Sequence, residues 1–510
     1  MPPPPGGDPS AALLAEARRA LAAGDPRGCE RACRAALKLP GGTPPSPELS
    51  RLLALALHGL KRSTEAVLHQ RRAALEGGEA QDYYALGVME LASGPVEPAL
   101  TAWRQAVRLD PRHPHAARNL ALALAKAERF EEAKAVLEQT ARYFPGDAFF
   151  PRLLADAHAG LGRTDLARAD YARALALDPN DGRSWFLAGL IDRDDGRFGA
   201  ALECFSRAVA AEPGFAAAHV DLGQMRLLLG DFAGGWPEWE WRDSNRHRGR
   251  AHALGPPRRL RVYAEQGHGD TIQFCRYLPR LGAMGFELTL ACHPALTGLM
   301  RTLPGVARVV GLGEETAGEE IGLLSLPWLL DTRLETIPGR TPYLTAPERP
   351  VTRWVRRDGG RAVGLAWAGN PEHRNDRNRS CPLALFEPLR AVAGMAFHSL
   401  QVGPAAADTP WLTDLAPAIA DFSDTAAAIM ALDLVIAVDT ATAHLAGALG
   451  KPVWLLLPAV PDWRWLLERA DSPWYPGLTI FRQRAAGDWR ECLARVAAAL
   501  APWKPPAPAP

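Results

Sequence analysis

The sequence predicts an α-solenoid followed by a two-lobed α/β region, a chain of α plus α/β class. Three observations carry that expectation. Prolines recur at Pro111, Pro145, Pro179 and Pro213, 34 residues apart each time. Columns of small and of large apolar residues recur in the same register. After Trp239 the period fails, and short apolar runs alternating with helical stretches take over.

The repeats justify the solenoid. The prolines stand in the contexts LDP, YFP, LDP and AEP. One small-residue column runs Gly87, Ala121, Ala155, Gly189 and Gly223, and a second runs Ala99, Ala133, Ala167, Ala201 and Gly235. A large apolar column runs Trp103, Leu137, Tyr171, Phe205 and Trp239. Two helices of a hairpin approach closely only where small side chains face each other. The large residue four places on fills the groove toward the next hairpin, and proline closes the unit because it cannot continue a helix interior. This spacing resembles the tetratricopeptide repeat (TPR) over residues 81–245. Residues 10–78 are helical and alanine-rich but degenerate, so the array is expected to span 10–245. The resemblance implies a concave groove that receives a protein or peptide. The triplet Asp192-Arg193-Asp194 falls at a repeat helix end and reads as solvated surface, not as a metal-holding motif.

Bulk composition sets the limits. A chain of 510 residues exceeds one core, and 47% hydrophobic with 23% charged residues is ordinary for a globular protein. A formal net charge of +1 gives no electrostatic argument for nucleic acid as a partner. The start, MPPPPGGDPS, has neither a basic n-region nor an apolar h-region. No run reaches the roughly 18 to 20 apolar residues of a membrane span. The seven cysteines are dispersed, with Cys29 and Cys33 on one helix face, and read as reduced buried thiols. A cytoplasmic protein without a membrane span is therefore expected. Residues 1–9 and 501–510, both proline-rich, are expected to be disordered.

The basic segment DSNRHRGRAHALGPPRR marks a linker, placed at 246–257. Beyond it, RLRVYAE, FELTLAC, ARVVGL, AVGLAWAG, MAFHSLQVG, LDLVIAV, KPVWLLLP and LTIFRQ read as strands. Helical stretches at Thr271 to Met284, Thr425 to Ala431 and Thr442 to Leu449 lie between several of them. Alternation at this scale predicts parallel sheets covered by helices. A proline- and arginine-rich break from Thr341 to Gly360 divides the region into lobes at 258–345 and 361–500, with a cleft as the expected ligand site.

Three motifs stand at predicted strand ends. In AEQGHGDTIQFCRYLP, Gly267 and Gly269 allow a tight turn, Asp270 or Thr271 can cap the next helix, and His268 and Asp270 reach the cleft edge. In WAGNPEHRNDRNRSCPL, Arg374, Arg377 and Arg379 cluster with Asn370, Asn375 and Ser380, a donor set suited to phosphate oxygens. In LVIAVDTATAHLAGALGKPVWLLLP, Asp439 ends an apolar strand. Thr440 and Thr442 can cap a helix whose amides make an anion site, and His444 lies in its first turn. GALGKP is not a Walker P-loop, and GHGD lacks the third glycine of a Rossmann fingerprint.

Together with PDWRW and DSPWYP, these motifs resemble the GT-B glycosyltransferase region of bacterial TPR glycosyltransferases. That type is related to the lipopolysaccharide heptosyltransferases and, in architecture, to O-GlcNAc transferase. The resemblance covers nearly all of 258–490 and implies a twin Rossmann-like domain, with an acceptor lobe at 258–345 and a nucleotide-sugar lobe at 361–500. It implies Asp270 as catalytic base, assisted by His268. Asn370, Arg377, Arg379, Ser380, Asp439, Thr440 and His444 would hold the donor diphosphate. No metal and no cofactor beyond the nucleotide-sugar co-substrate are expected. Heptosyltransferases carry a lysine in the second motif where this chain has arginines, so the sugar does not follow. The expected activity is sugar transfer to a protein or peptide hydroxyl held by the repeats. Transfer to a glycan or lipid-linked acceptor, and a non-catalytic scaffold, are the alternatives.

Overall fold

The computed structural model describes residues 9–39, 46–242, 259–314, 319–355, 357, 360–373, 375–403 and 409–505. The linker expected at 246–257 lies outside these residues, as does Arg374. The chain divides into two compact units, Met1–Ile191 and Asp192–Pro510.

Fourteen α-helices run between Pro9 and Trp239 among the described residues. The first starts at Pro9, where proline fits the first turn because its missing N–H would be unsatisfied anyway. In the first unit the small and large columns do what their chemistry requires. Ala99, Ala121, Ala133, Ala155 and Ala167 are fully buried, and Trp103, Leu137 and Tyr171 fill the space between hairpins. A Cβ at Gly87 would stand 2.3 Å from the Trp103 indole nitrogen, which itself donates to the Tyr84 carbonyl at 3.2 Å. Successive hairpins are also joined at their turns. Arg62 pairs with Glu30, Arg129 with Glu97 and Arg163 with Glu131, always across 32 residues, at 2.7, 2.5 and 2.6 Å. These pairs are largely exposed and worth under about 1 kcal/mol each, so burial of the columns holds the array together.

The second unit carries the last hairpins and two parallel sheets. Asp192 does not read as solvated surface here: it is buried and paired with Arg197, while Arg193 reaches Asp221. The first sheet comprises β1 (Arg259–Tyr263), β2 (Glu287–Cys292), β3 (Val306–Gly311) and β4 (Glu319–Gly322), ordered β3-β2-β1-β4. The second comprises β5 (Arg361–Ala366), β6 (Met395–Ser399), β7 (Thr413–Asp414), β8 (Leu434–Val438), β9 (Val453–Leu457) and β10 (Leu478–Arg482), ordered β10-β9-β8-β5-β6-β7. Every named pairing is parallel. Strands of such sheets are covered on both faces, which is why β8 (LVIAV) and β9 (VWLLL) are buried at every residue.

The terminal helix Phe232–Trp239 packs against this region through aromatic rings. The Trp236 indole donates to the Thr332 carbonyl at 2.8 Å, and its ring meets Trp463 edge-on at 5.5 Å. Just beyond the helix, Arg242 forms a two-pronged pair with Glu265 at 2.9 Å for each bond. Glu240 and Ser325 complete the network, and all four groups are buried. All seven cysteines are free and buried.

Candidate functional site

Strand order places the three motifs. In the first sheet the chain winds from β1 outward through β2 to β3, then returns to add β4 on the other side of β1. In the second it winds from β5 to β6 and β7, then reverses through β8, β9 and β10. Ligands of open parallel sheets bind beyond the carboxyl ends of strands where the winding reverses. The segments containing Asp270, Asn370 to Ser380, and Asp439 to His444 follow β1, β5 and β8, the strands at those points.

The β1 segment turns on Gln266, whose φ of +55° makes the tight bend expected of its glycines. Gly269 is needed for another reason. A Cβ there would meet the His444 ring at 3.0 Å and the Ala441 backbone at 3.5 Å, so the first and third motifs touch at this point. Gly267 occupies the cap position, and Asp270 closes the capping box from inside the helix. It sits at the third position of the helix His268–Phe274, and its Oδ2 accepts from the Gly267 N–H at 2.8 Å. Its Oδ1 accepts from the Arg464 guanidinium. His268 lies beside His293 and Phe422, with ring centres 4.8 and 5.0 Å apart. Burial, then His293, lowers the basicity of His268.

After β5, the loop is tied inward. Gln401 Oε1 accepts from the Trp367 and Ala368 amides at 3.1 and 3.0 Å. The Ser380 hydroxyl accepts from Gly369 N–H at 3.0 Å and donates to Asp376 at 2.9 Å. Arg379 donates to the Asp439 carbonyl at 3.2 Å, joining second and third motifs. Asn370 is exposed and accepts from the Glu372 amide at 3.1 Å within its own turn. Arg377 is exposed and makes no ion pair among the described residues.

The third motif begins the helix Ala441–Ala448. Thr440 occupies the cap position without capping: its hydroxyl donates back to the Val438 carbonyl at 3.2 Å. His444 is buried and shares a 2.9 Å hydrogen bond through Nδ1 with the Tyr475 hydroxyl, its ring stacked on Trp465. Burial, then Arg464, Arg276 and Arg379, holds its basicity well below the usual histidine range, so it is neutral near pH 7. Its Nε2 is 3.8 Å from Asp439 Oδ1. Burial and the neighbouring Asp462 push the Asp439 carboxyl up to about 6, against the opposing pull of Trp465, Arg379 and Arg464. Shifts of this kind in a cleft mark candidate functional groups.

The structure thus gathers His268, Asp270, Arg379, Ser380, Asp439, Thr440 and His444 around the strand ends and leaves Asn370 and Arg377 at the rim. It also adds residues that no single motif announced. Asp462, Arg464, Trp465, Tyr475 and Gln273 line the same place, and burial, then Arg379, lowers the basicity of His373 against Asp376, Asp462 and Asp270. The signal for most of them was the pair of aromatic-rich stretches PDWRW and DSPWYP, whose polar members are embedded among tryptophans. Among the described residues no group of three or more His, Cys, Asp or Glu side chains could hold a metal ion. No helix among them is long and apolar enough to cross a membrane.

A helical repeat array and a region of parallel sheets with a polar cluster at the strand ends are the two classes of structure present. Comparison with known proteins identifies the first. The tetratricopeptide repeat family model matches residues 14–83, 84–148, 119–182, 152–198 and 186–239, so residues 14–239 are a TPR array, which supports a protein-interaction role. Protein FlbA of Caulobacter vibrioides is 27% identical over 434 residues, covering 75% of this chain and 72% of its own length. That stretch is longer than the array, so the likeness runs on into the parallel-sheet region. Solved structures with similarity include the MamA protein, at 20% identity and a TM-score of 0.31, covering 34% of this chain and 94% of the other. A tetratricopeptide repeat protein from Parabacteroides merdae is 14% identical with a TM-score of 0.36, covering 46% and 91%. A thermophilic TPR protein of Thermus thermophilus is 24% identical with a TM-score of 0.28, covering 36% and 100%.

Proposed function

We propose that the parallel-sheet region is a GT-B glycosyltransferase with twin Rossmann-like lobes, and that it moves a sugar from a nucleotide donor to a hydroxyl of a protein or peptide recruited by the repeats. One observation carries this reading: the three motifs meet beyond the strands where both sheets reverse their winding. There Asp270 faces the acceptor side. Arg379, the exposed Arg377 and the amides that open the helix Ala441–Ala448 face the donor diphosphate. In the transfer, the acceptor hydroxyl gives its proton to a base while its oxygen attacks the anomeric carbon, and the bond from that carbon to the diphosphate breaks. Guanidinium groups and helix amides then stabilise the charge gathering on the leaving phosphate. The protein is read as acting in the cytoplasm, where nucleotide sugars are made.

The test is thermal unfolding with millimolar UDP, ADP, GDP or CMP. Ligand at about 100 times its dissociation constant adds roughly 2.7 kcal/mol to the unit that binds it. One nucleotide is expected to raise the melting temperature, and Arg377→Ala to weaken that rise without altering the ligand-free transition. A chain that responds to none of them is a TPR scaffold, and the transferase reading falls.

A further inference from the structure

We propose that Arg464 is the positioning residue of this site, holding the Asp270 carboxylate in its working orientation from the opposite sheet. The inference rests on the transferase reading and deepens it. Arg464 lies in the turn after β9, and Asp270 in the helix after β1, 194 residues away in sequence. The guanidinium is buried and uses all three of its faces. One terminal nitrogen meets Asp270 Oδ1, the other meets Asp462 Oδ1 at 2.9 Å, and Nε meets Gln273 Oε1 at 2.6 Å. Its plane is steadied by the rings of Trp463 and Phe274, at 4.4 and 5.6 Å.

Asp270 is consequently fixed at both oxygens, Oδ2 by the Gly267 amide and Oδ1 by Arg464. Among the described residues no other cation pairs with it. Burial opposes the charge on Arg464, but Asp462 and Asp270 outweigh it and raise its basicity, so the clamp stays charged throughout the physiological range. The choice of side chain is informative. A lysine offers one compact charge, whereas the planar fork can satisfy two carboxylates and an amide at once. A guanidinium in that position sets the angle of a carboxylate that only a backbone amide otherwise restrains.

The test compares Arg464→Met, Arg464→Lys, Asp270→Asn and the Met/Asn double variant, using the sugar derivative of whichever of UDP, ADP, GDP or CMP raises the melting temperature. Arg464→Met is expected to lower kcat about 100-fold, the scale of a misplaced reacting group, with KM for the donor unchanged. Arg464→Lys should recover part of that loss, and the double variant should be no slower than Asp270→Asn alone. Losses that multiply in the double variant, or an Arg464→Met enzyme with full kcat, would overturn the proposal. If the unaltered protein turns over none of the four donors, the transferase reading fails by itself. The clamp is then read from melting temperatures: losses that add fully in the double variant refute it, and a double variant no less stable than the worse single one upholds it.

Discussion

Replacing Arg242 with methionine gives the sharpest stability test of how the repeat array ends. The side chain is 3% exposed, and its partner Glu265 is 4% exposed. In the native chain the guanidinium serves Glu265 twice, Glu240 once and the Ser325 hydroxyl once. Methionine keeps much of the packing volume but removes every bond that this guanidinium gives to the two carboxylates and the serine. Glu265 also accepts from the Leu324 amide, at 3.1 Å, a neutral donor that does not replace the bidentate guanidinium. Breaking a buried pair in this way costs about 3–5 kcal/mol, because a desolvated carboxylate loses its bidentate partner. A large unit shifts by about 2 °C per kcal/mol, so its melting temperature should fall by about 6–10 °C. Glu265→Gln should cost less, since Arg242 keeps Glu240 and Ser325, and the double variant Arg242→Met, Glu265→Gln should recover part of the loss. Scanning calorimetry of the full chain reads all three. A fall below about 2 °C in Arg242→Met, or an equal fall in Glu265→Gln, would refute the view that the charge of Glu265 depends on this arginine.

Three further predictions use other parts of the molecule. Gly87→Ala should destabilise the repeats by about 1–3 kcal/mol by forcing a methyl into the Trp103 ring. Gly199→Ala, in the helix Phe198–Ala211 with open space at its Cβ, should be neutral or stabilise by up to about 1 kcal/mol, and a urea titration of the full chain reads both variants. For Asp439, whose carboxyl rises from 3.8 to about 6 on folding, the associated stability is present below pH 4 and lost as the pH climbs through 6. His444, depressed on folding, acts oppositely, its stability being present above the ordinary histidine range and lost as the pH falls below it. Asp439→Asn removes the carboxylate's contribution, while His444 stays buried beside the same three arginines. The variant's relative melting temperature should therefore rise between pH 4 and pH 7, and a constant difference would contradict the assignment.

Much of the fold was legible because its signals are periodic or continuous. The repeat columns are a pattern of side-chain size enforced by close helix approach, and they survive in sequence as long as the hairpins do. Eight strands were visible as apolar runs because both faces of a parallel strand are covered. The two that were missed lack that signature: β4 reads EEIG and β7 is only Thr413–Asp414. Cap assignments fared worse. Asp270 acts from the third helical position, accepting from the Gly267 N–H, and Thr440 holds the cap position but turns its hydroxyl back to the Val438 carbonyl. Bends were also misread, because Gln266 takes the left-handed conformation while the neighbouring glycines serve close approach. The long-range pairs were invisible for a simpler reason. Nothing in PDWRW specifies that its arginine meets a carboxylate 194 residues upstream.

Those pairs follow one rule that the composition does reflect. Of the 58 basic residues only six are lysines. The buried and half-buried cations of the second unit show why the ratio matters. Arg242 joins the end of the repeats to the segment after β1, and Arg464 joins the turn after β9 to the helix behind it. Arg379 ties the loop after β5 to the end of β8. Arg276 donates to the Trp474 carbonyl at 2.6 Å and the Tyr343 hydroxyl at 2.9 Å, with the Tyr343 and Tyr475 rings each 4.6 Å away. Each spans separate segments with several directed bonds and an aromatic or carboxylate partner. A lysine could supply the charge but not the geometry, and its ammonium is more strongly hydrated and so costlier to bury. The strand-end loops therefore owe their positions to guanidinium groups both within the motifs (Arg276, Arg379) and outside them (Arg242, Arg464). The site should accordingly be sensitive to Arg→Lys exchange at Arg242 and Arg464, which lie outside its three motifs.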